Sequence, residues 1–123
     1  GAQRELPPLL VRPRLAFGAY ISIIYAMLDL ARIEGFDWDN GNSRKSEAKH
    51  SVSREEAEQV FFDEPVVIVP DIAHSAVEER FHAFGKTVAG RLLQVSFTTR
   101  AGGRLIRVIS ARDMSAKERA RYA

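Results

Sequence analysis

The chain contains no cysteine. That absence excludes disulfides, thiolate zinc sites and cysteine nucleophiles at once. Histidine is scarce too, with three in 123 residues, and His50, His74 and His82 lack metal-ligand spacing, so neither a metal nor another cofactor is expected. Long hydrophobic runs are also missing. The longest uncharged stretch of that kind, Leu15–Leu28, covers fourteen residues, short of the ~20 that a membrane helix needs. Arg12 and Arg14 in front of it imitate a signal peptide, but no small-x-small cleavage site follows. No membrane association is expected, and a cysteine-free chain suits a reducing compartment such as the cytoplasm.

Net charge is small as well, +2, yet it is unevenly spread. From Gly85 to Ala123 nine Lys/Arg residues face two acidic ones, whereas from Glu34 to Phe84 five positive residues face twelve negative ones. A basic half set against an acidic half suggests a surface for a polyanion and another for a basic partner. A dipolar, solvated surface would produce the same pattern.

A length of 123 residues allows one domain and one core. Residues 1–35 read as an N-terminal extension, Pro/Arg-rich at first and then apolar, partly flexible or foreign to the natural product. Met27 is a natural place for translation to start, and Leu15–Leu30, if native, offers a surface for homo-oligomers. Residues 36–123 read as the domain proper. Trp38 is expected to anchor the first strand to the core. Asn40–Ser43 is turn-rich and Arg44–His50 a short polar helix. Ser53 and Glu56 have capping-box spacing, with Val52 placed to staple onto Ala57 and with Ala57, Val60 and Phe61 on one helical face. Pro65 closes that segment.

Val66–Val69, Glu79–Thr87, Leu92–Thr99 and Leu105–Ala111 read as strands. The last two flank Arg100–Arg104, whose Gly102 and Gly103 suit a hairpin loop. Ser115 and Glu118 form another capping box, which starts a short C-terminal helix. These elements predict an α+β fold, a four-stranded antiparallel sheet with helices packed on one face.

The ordered residues Phe36-Asp37-Trp38-Asp39, Lys49-His50, Val52-Ser53-Arg54-Glu55-Glu56-Ala57, Val60-Phe61, Asp63, Asp71, His74-Ser75, Glu79-Arg80-Phe81, Gly85, Gly90-Arg91, Thr98, Arg100, Arg107, Ile109-Ser110-Ala111-Arg112, Glu118-Arg119 and Tyr122 resemble the BrnT family of bacterial toxins, in the RelE-like ribonuclease superfamily. Three positions depart from the family pattern. Asn42 and Ser46 stand where Lys and Asn are usual, and Ser51 stands where Gly usually follows the Lys-His pair. The resemblance implies a cytoplasmic toxin of a type II toxin–antitoxin pair that cleaves RNA. Its implied partner is a cognate BrnA-like antitoxin with a ribbon-helix-helix region, through which alone operator DNA would be bound.

Metal-independent RNA cleavage needs groups that move protons and cations that stabilise the phosphorane. His50, His74 and Glu118 are the candidate proton carriers, and Arg80 and Arg112 the candidate catalytic cations. Lys49, Arg91, Arg100, Arg107 and Tyr122 are candidate RNA-binding residues, since guanidinium pairs bidentately with phosphate and tyrosine stacks on bases. Each has a structural alternative: Arg112 can pair with Glu118 or Asp113, and His50 can serve its own helix end. Arg107 and Arg112 lie five residues apart, and on a regular strand that spacing puts them on opposite faces. Either a bulge intervenes or one of them is structural. Two other functions fit the same residues: a non-enzymatic nucleic-acid-binding module, and an interaction protein whose acidic Glu47–Glu64 region docks a basic partner.

Overall fold

In the computed structural model, which describes residues 32–123 apart from Glu64, the element order is β1 (Gly35–Phe36), α1 (Asn40–His50), α2 (Arg54–Val60), β2 (Val67–Pro70), a 3-10 turn (Ile72–His74), β3 (Phe81–Lys86), β4 (Leu92–Arg100), β5 (Leu105–Asp113) and α3 (Ala116–Tyr122). The apolar Leu15–Leu28 stretch, the start at Met27 and the oligomer surface all lie outside the described residues. Ile33 is part of the buried core and Gly35 belongs to β1, so the packed unit includes residues ahead of Phe36. Among the described residues no helix is long and apolar enough to cross a membrane.

The sheet has five strands in the order β1-β5-β4-β3-β2. This corrects the expected four-stranded antiparallel sheet, because β1 adds a fifth strand parallel to β5, Gly35 opposite Leu105 and Phe36 opposite Ile106. A strand of two residues shows no alternation, so nothing in its composition announced it. The α+β class stands.

Alternation along β3, β4 and β5 builds the core. Phe81, Ala83, Leu93, Val95, Phe97, Ile106, Val108 and Ala111 all point to one face and are buried there with Ala57, Val60 and Phe61 of the α2 segment. Phe97 packs edge-on against Phe61 with centroids 5.0 Å apart and stacks on Phe81 at 5.4 Å. The Ser53–Glu56 box forms, with Glu56 N donating to Ser53 Oγ at 3.1 Å and Ser53 N to Glu56 Oε1 at 3.0 Å. Val52 is buried in the same cluster as Ala57, as the staple requires. Gly85 lets α2 approach β3: a Cβ there would sit 3.1 Å from the Val60 carbonyl oxygen and from Asp63 Oδ2.

The turn-rich Asn40–Ser43 segment turns out to be the first turn of α1. Asp39 is its N-cap and exchanges capping-box hydrogen bonds with Asn42. The only buried residues of α1 are polar, Asn42 and Ser46. Their partners explain this: Asn42 Nδ2 donates to the Val108 carbonyl at 2.9 Å, and Ser46 Oγ accepts from Ala111 N at 2.6 Å. α1 therefore lies along the outer edge of β5 and satisfies backbone groups that a neighbouring strand would otherwise take. At its end Ser51 adopts the left-handed conformation (φ 55) that the family pattern gives to glycine.

α3 lies over the opposite face of the sheet from α2, which corrects the expectation of helices on one face only. Its capping box forms between Ser115 and Glu118. Tyr122 stacks on Phe84 at 4.0 Å between centroids, in a second cluster with Val67 and Met114. Phe84 has the outward parity of β3, so this cluster is separate from the main core.

Candidate functional site

The β4–β5 register decides what the outward face carries. Ser96 pairs with Ser110, but the next pair is Phe97 with Val108, so Ile109 is an extra residue on β5. This bulge reverses the parity midway. Ile106, Val108 and Ala111 all remain buried, while Arg107, Ser110 and Arg112 share the outward face. Arg107 and Arg112, apart on a regular strand, are thus brought to the same side.

Three lateral rows result, each about 7 Å from the next along the strands. Phe84, Gln94 and Arg112 form one, and His82, Ser96 and Ser110 the second. In the third, Thr98 stands opposite Arg107, and Arg80 lies just ahead of β3 beside it. Arg100 follows at the end of β4, where the loop turns back into β5 with positive φ at Ala101, Gly102 and Gly103.

At the third row a cleft of about 240 Å³ opens, lined among others by Gly41, Lys45, Glu78, Arg80, Arg100 and Arg107. Four cations and one carboxylate thus line the same cleft. Arg100 Nη1 donates to Glu78 Oε1 at 3.0 Å, and Arg80 Nη2 lies 3.6 Å from Glu78 Oε2. The Nε of Arg80 is buried without an acceptor among the described residues. Arg107 is anchored from outside, 3.1 Å from Asp39 Oδ2 and 3.5 Å from Asp37 Oδ2, and its hydrogen bond holds the Asp39 carboxyl below its ordinary pKa. Lys45 is exposed and has no ion pair among the described residues.

Beside this cleft the 3-10 turn brings two histidines to a single carboxylate. Asp71 Oδ2 lies 3.0 Å from His74 Nδ1 and 3.2 Å from His82 Nε2. The other nitrogen of His82 meets Ser96 Oγ at 2.8 Å and Gln94 Nε2 at 2.9 Å. Burial, and to a lesser degree the nearby Arg112 charge, push the His82 pKa down despite Asp71, so the ring is neutral at pH 7. His74 has Nδ1 turned to Asp71 and a side chain 67% exposed, which leaves Nε2 facing solvent. His74 and Arg80 also line a shallow groove of about 420 Å³ next to the cleft.

The family model described as "Ribonuclease toxin, BrnT, of type II toxin-antitoxin system" matches residues 38–118, well over half of the chain and all of this constellation except Asp37. The chain belongs to that family. No curated protein matches it closely enough to count as a relative. Membership in the BrnT family brings an antitoxin partner and an RNA target with it.

The expected site residues of this BrnT-family chain fall into separate groups. Arg80, Arg100 and Arg107 meet at the cleft, with His74 on its border. Arg112 and Glu118 lie two rows away, joined by paired hydrogen bonds of 2.8 and 2.9 Å. That bond, more than anything else, lowers the Glu118 pKa, so Glu118 is ionised and already occupied. Tyr122 is stacked on Phe84. Lys49 is exposed on α1, one turn beyond Lys45, and is not among the cleft residues.

Arg91 and His50 do not belong to this face. Arg91 Nε donates to Asp113 Oδ1 at 2.7 Å, Nη1 to the Ser51 carbonyl at 2.9 Å and Nη2 to the His50 carbonyl at 3.2 Å, with Glu56 3.3 Å away. It ties the α1–α2 junction to the far end of the hairpin. Arg91→Ala should therefore lower stability by about 1–2 kcal/mol and leave RNA affinity unchanged, as urea melts and anisotropy titrations would show.

Sequence reasoning passed over His82, Asp71, Lys45 and Glu78 as site residues. His82 was legible in principle, since it alternates in phase with Arg80 against the buried Phe81 and Ala83. Asp71 and Glu78 lie in a loop, where no periodicity says what a side chain faces. Among the described residues no group of three His, Asp or Glu is arranged to hold a metal ion.

Proposed function

We propose that this chain is a metal-independent endoribonuclease, acting in the cytoplasm, whose outward sheet face binds RNA across the Lys45–Arg80–Arg100–Arg107 cleft. The observation that carries the reading is the convergence of four cations beside a carboxylate-oriented histidine with a free ring nitrogen. With Nδ1–H donated to Asp71, His74 Nε2 has a lone pair to take the proton of a ribose 2′-OH. The 2′-oxygen attacks the adjacent phosphorus and the bond to the 5′-oxygen breaks. The leaving oxygen takes a proton from solvent, and a 2′,3′-cyclic phosphate remains on the other fragment. Arg80, Arg100 and Lys45 stabilise the charge that builds on the non-bridging oxygens.

His82 supports this centre from the second row by fixing Asp71. The partner that silences the enzyme is, in this reading, a BrnA-like ribbon-helix-helix antitoxin, through which operator DNA is bound. In this reading the toxin domain has the RelE-like ribonuclease fold and spans residues 36–123 together with the short lead-in that supplies β1.

The test is cleavage of a defined RNA by the purified chain in EDTA, followed by primer extension and end-group analysis. Fragments bearing 2′,3′-cyclic phosphate are expected, and Arg100→Ala together with Lys45→Ala should reduce their yield. RNA that is bound at saturating protein but stays intact would leave only the non-enzymatic binding module.

A further inference from the structure

Among the described residues Glu78 is the one carboxylate lining a cleft whose other charged side chains are the cations Lys45, Arg80, Arg100 and Arg107. Its two oxygens are divided between two guanidinium groups, Oε1 at 3.0 Å from Arg100 Nη1 and Oε2 at 3.6 Å from Arg80 Nη2. A planar carboxylate bridging two arginines occupies the position that a pair of non-bridging phosphate oxygens would take. The arrangement is poor as a structural ion pair. Glu78 is 32% and Arg100 41% exposed, so the pair is worth little to the fold. The second contact is long, and Arg80 Nε is left buried without an acceptor. A buried donor without a partner is costly unless something else fills the place. Glu78 also sits in the loop that leads from the 3-10 turn into β3, where the backbone has no ladder to hold it.

We propose that Arg80 and Arg100 form a phosphodiester subsite and that Glu78 is its resident anion, which RNA must displace in order to bind. This rests on the reading of the outward face as the RNA-binding face, and it adds the regulation of that face. The carboxylate keeps the guanidinium groups spread and ready in the free protein. It also sets a threshold: a lone phosphate gains little by evicting it, whereas a strand that engages Lys45 and Arg107 as well does so readily. Glu78 thus favours polynucleotide over mononucleotide at this subsite.

The test uses the full chain and a 2′-O-methyl oligoribonucleotide, which cannot be cleaved, followed by fluorescence anisotropy over a salt series. Glu78→Gln is isosteric and should tighten binding by about three- to tenfold and steepen the salt dependence by about one counterion. Glu79→Gln removes the same charge one residue away, on an exposed side chain, and should give a clearly smaller gain. The Glu78→Gln gain should vanish in an Arg100→Ala background, and Glu78→Ala should behave in the same way as Glu78→Gln. Equal gains from the two glutamine variants, or a Glu78→Gln gain that survives Arg100→Ala, would overturn the subsite assignment while leaving the RNA face intact. A chain whose affinity is indifferent to Arg100→Ala and Lys45→Ala alike would overturn both.

Discussion

Replacing His74 with alanine is expected to slow RNA cleavage by roughly 10²–10⁴-fold, the usual share of one general acid–base group, and to leave affinity for a non-cleavable oligonucleotide unchanged. The expectation follows from how differently the two ring systems on Asp71 are placed. His82 has both nitrogens engaged, by Asp71 on one side and by Ser96 and Gln94 on the other. His74 has one nitrogen engaged and one turned outwards beside Arg80. Asp71→Asn should fall partway, because the amide can no longer fix the tautomer. Single-turnover rates for the two variants, set beside anisotropy titrations, separate chemistry from binding. A His74→Ala protein that cuts at the normal rate would remove His74 from the reaction.

The second large effect is on stability and falls on a residue that departs from the family pattern. Asn42→Ala should cost about 2–4 kcal/mol, because it strips three hydrogen bonds from backbone groups at a buried position. Asn42 Nδ2 serves both the Val108 and the Asp37 carbonyls, at 2.9 and 3.0 Å, and Asn42 Oδ1 accepts from Asp39 N at 2.7 Å. The amide therefore joins the start of α1, the segment after β1 and the edge of β5. A drop in melting midpoint of order 10 °C is expected from calorimetry. A lysine in place of Asn42 would have to carry its charge out of a position only 6% exposed, so Asn42→Lys should also destabilise. In this chain position 42 belongs to the scaffold, and Lys45, one turn further along the same helix, presents the cation.

What could be read from the sequence was whatever rests on local spacing. Both Ser-x-x-Glu boxes form, the Gly-rich hairpin forms, and Phe81 and Ala83, which alternate with Arg80 and His82, lie in the core. What stayed hidden depends on pairing over long distances. The two residues of β1 are a strand only because Leu105 and Ile106 lie beside them. The odd spacing of Arg107 and Arg112 left a bulge open, but only the register against Ser96 and Phe97 shows that it forms and places it at Ile109. Arg91 carries the same charge as Arg100 and sits in the same basic block, yet its partners lie 22 positions later, at Asp113, and up to 41 earlier, at His50, Ser51 and Glu56. Composition treated these arginines alike, and tertiary contacts divided them, Arg91 into a fastener between distant segments and Arg100 into a lining of the cleft.

The strand order has a further consequence for when the cleft can assemble. β5 lies inside the sheet between β1 and β4, and its outer edge holds α1 as well. Everything from Gly35 to His50 therefore waits, during synthesis, for residues 105–113 to leave the ribosome before it can dock. Arg107 and the final hairpin complete the cleft in the same step. A growing chain has no complete cleft until that last strand is free, and under the proposed function an antitoxin has until that moment to be at hand.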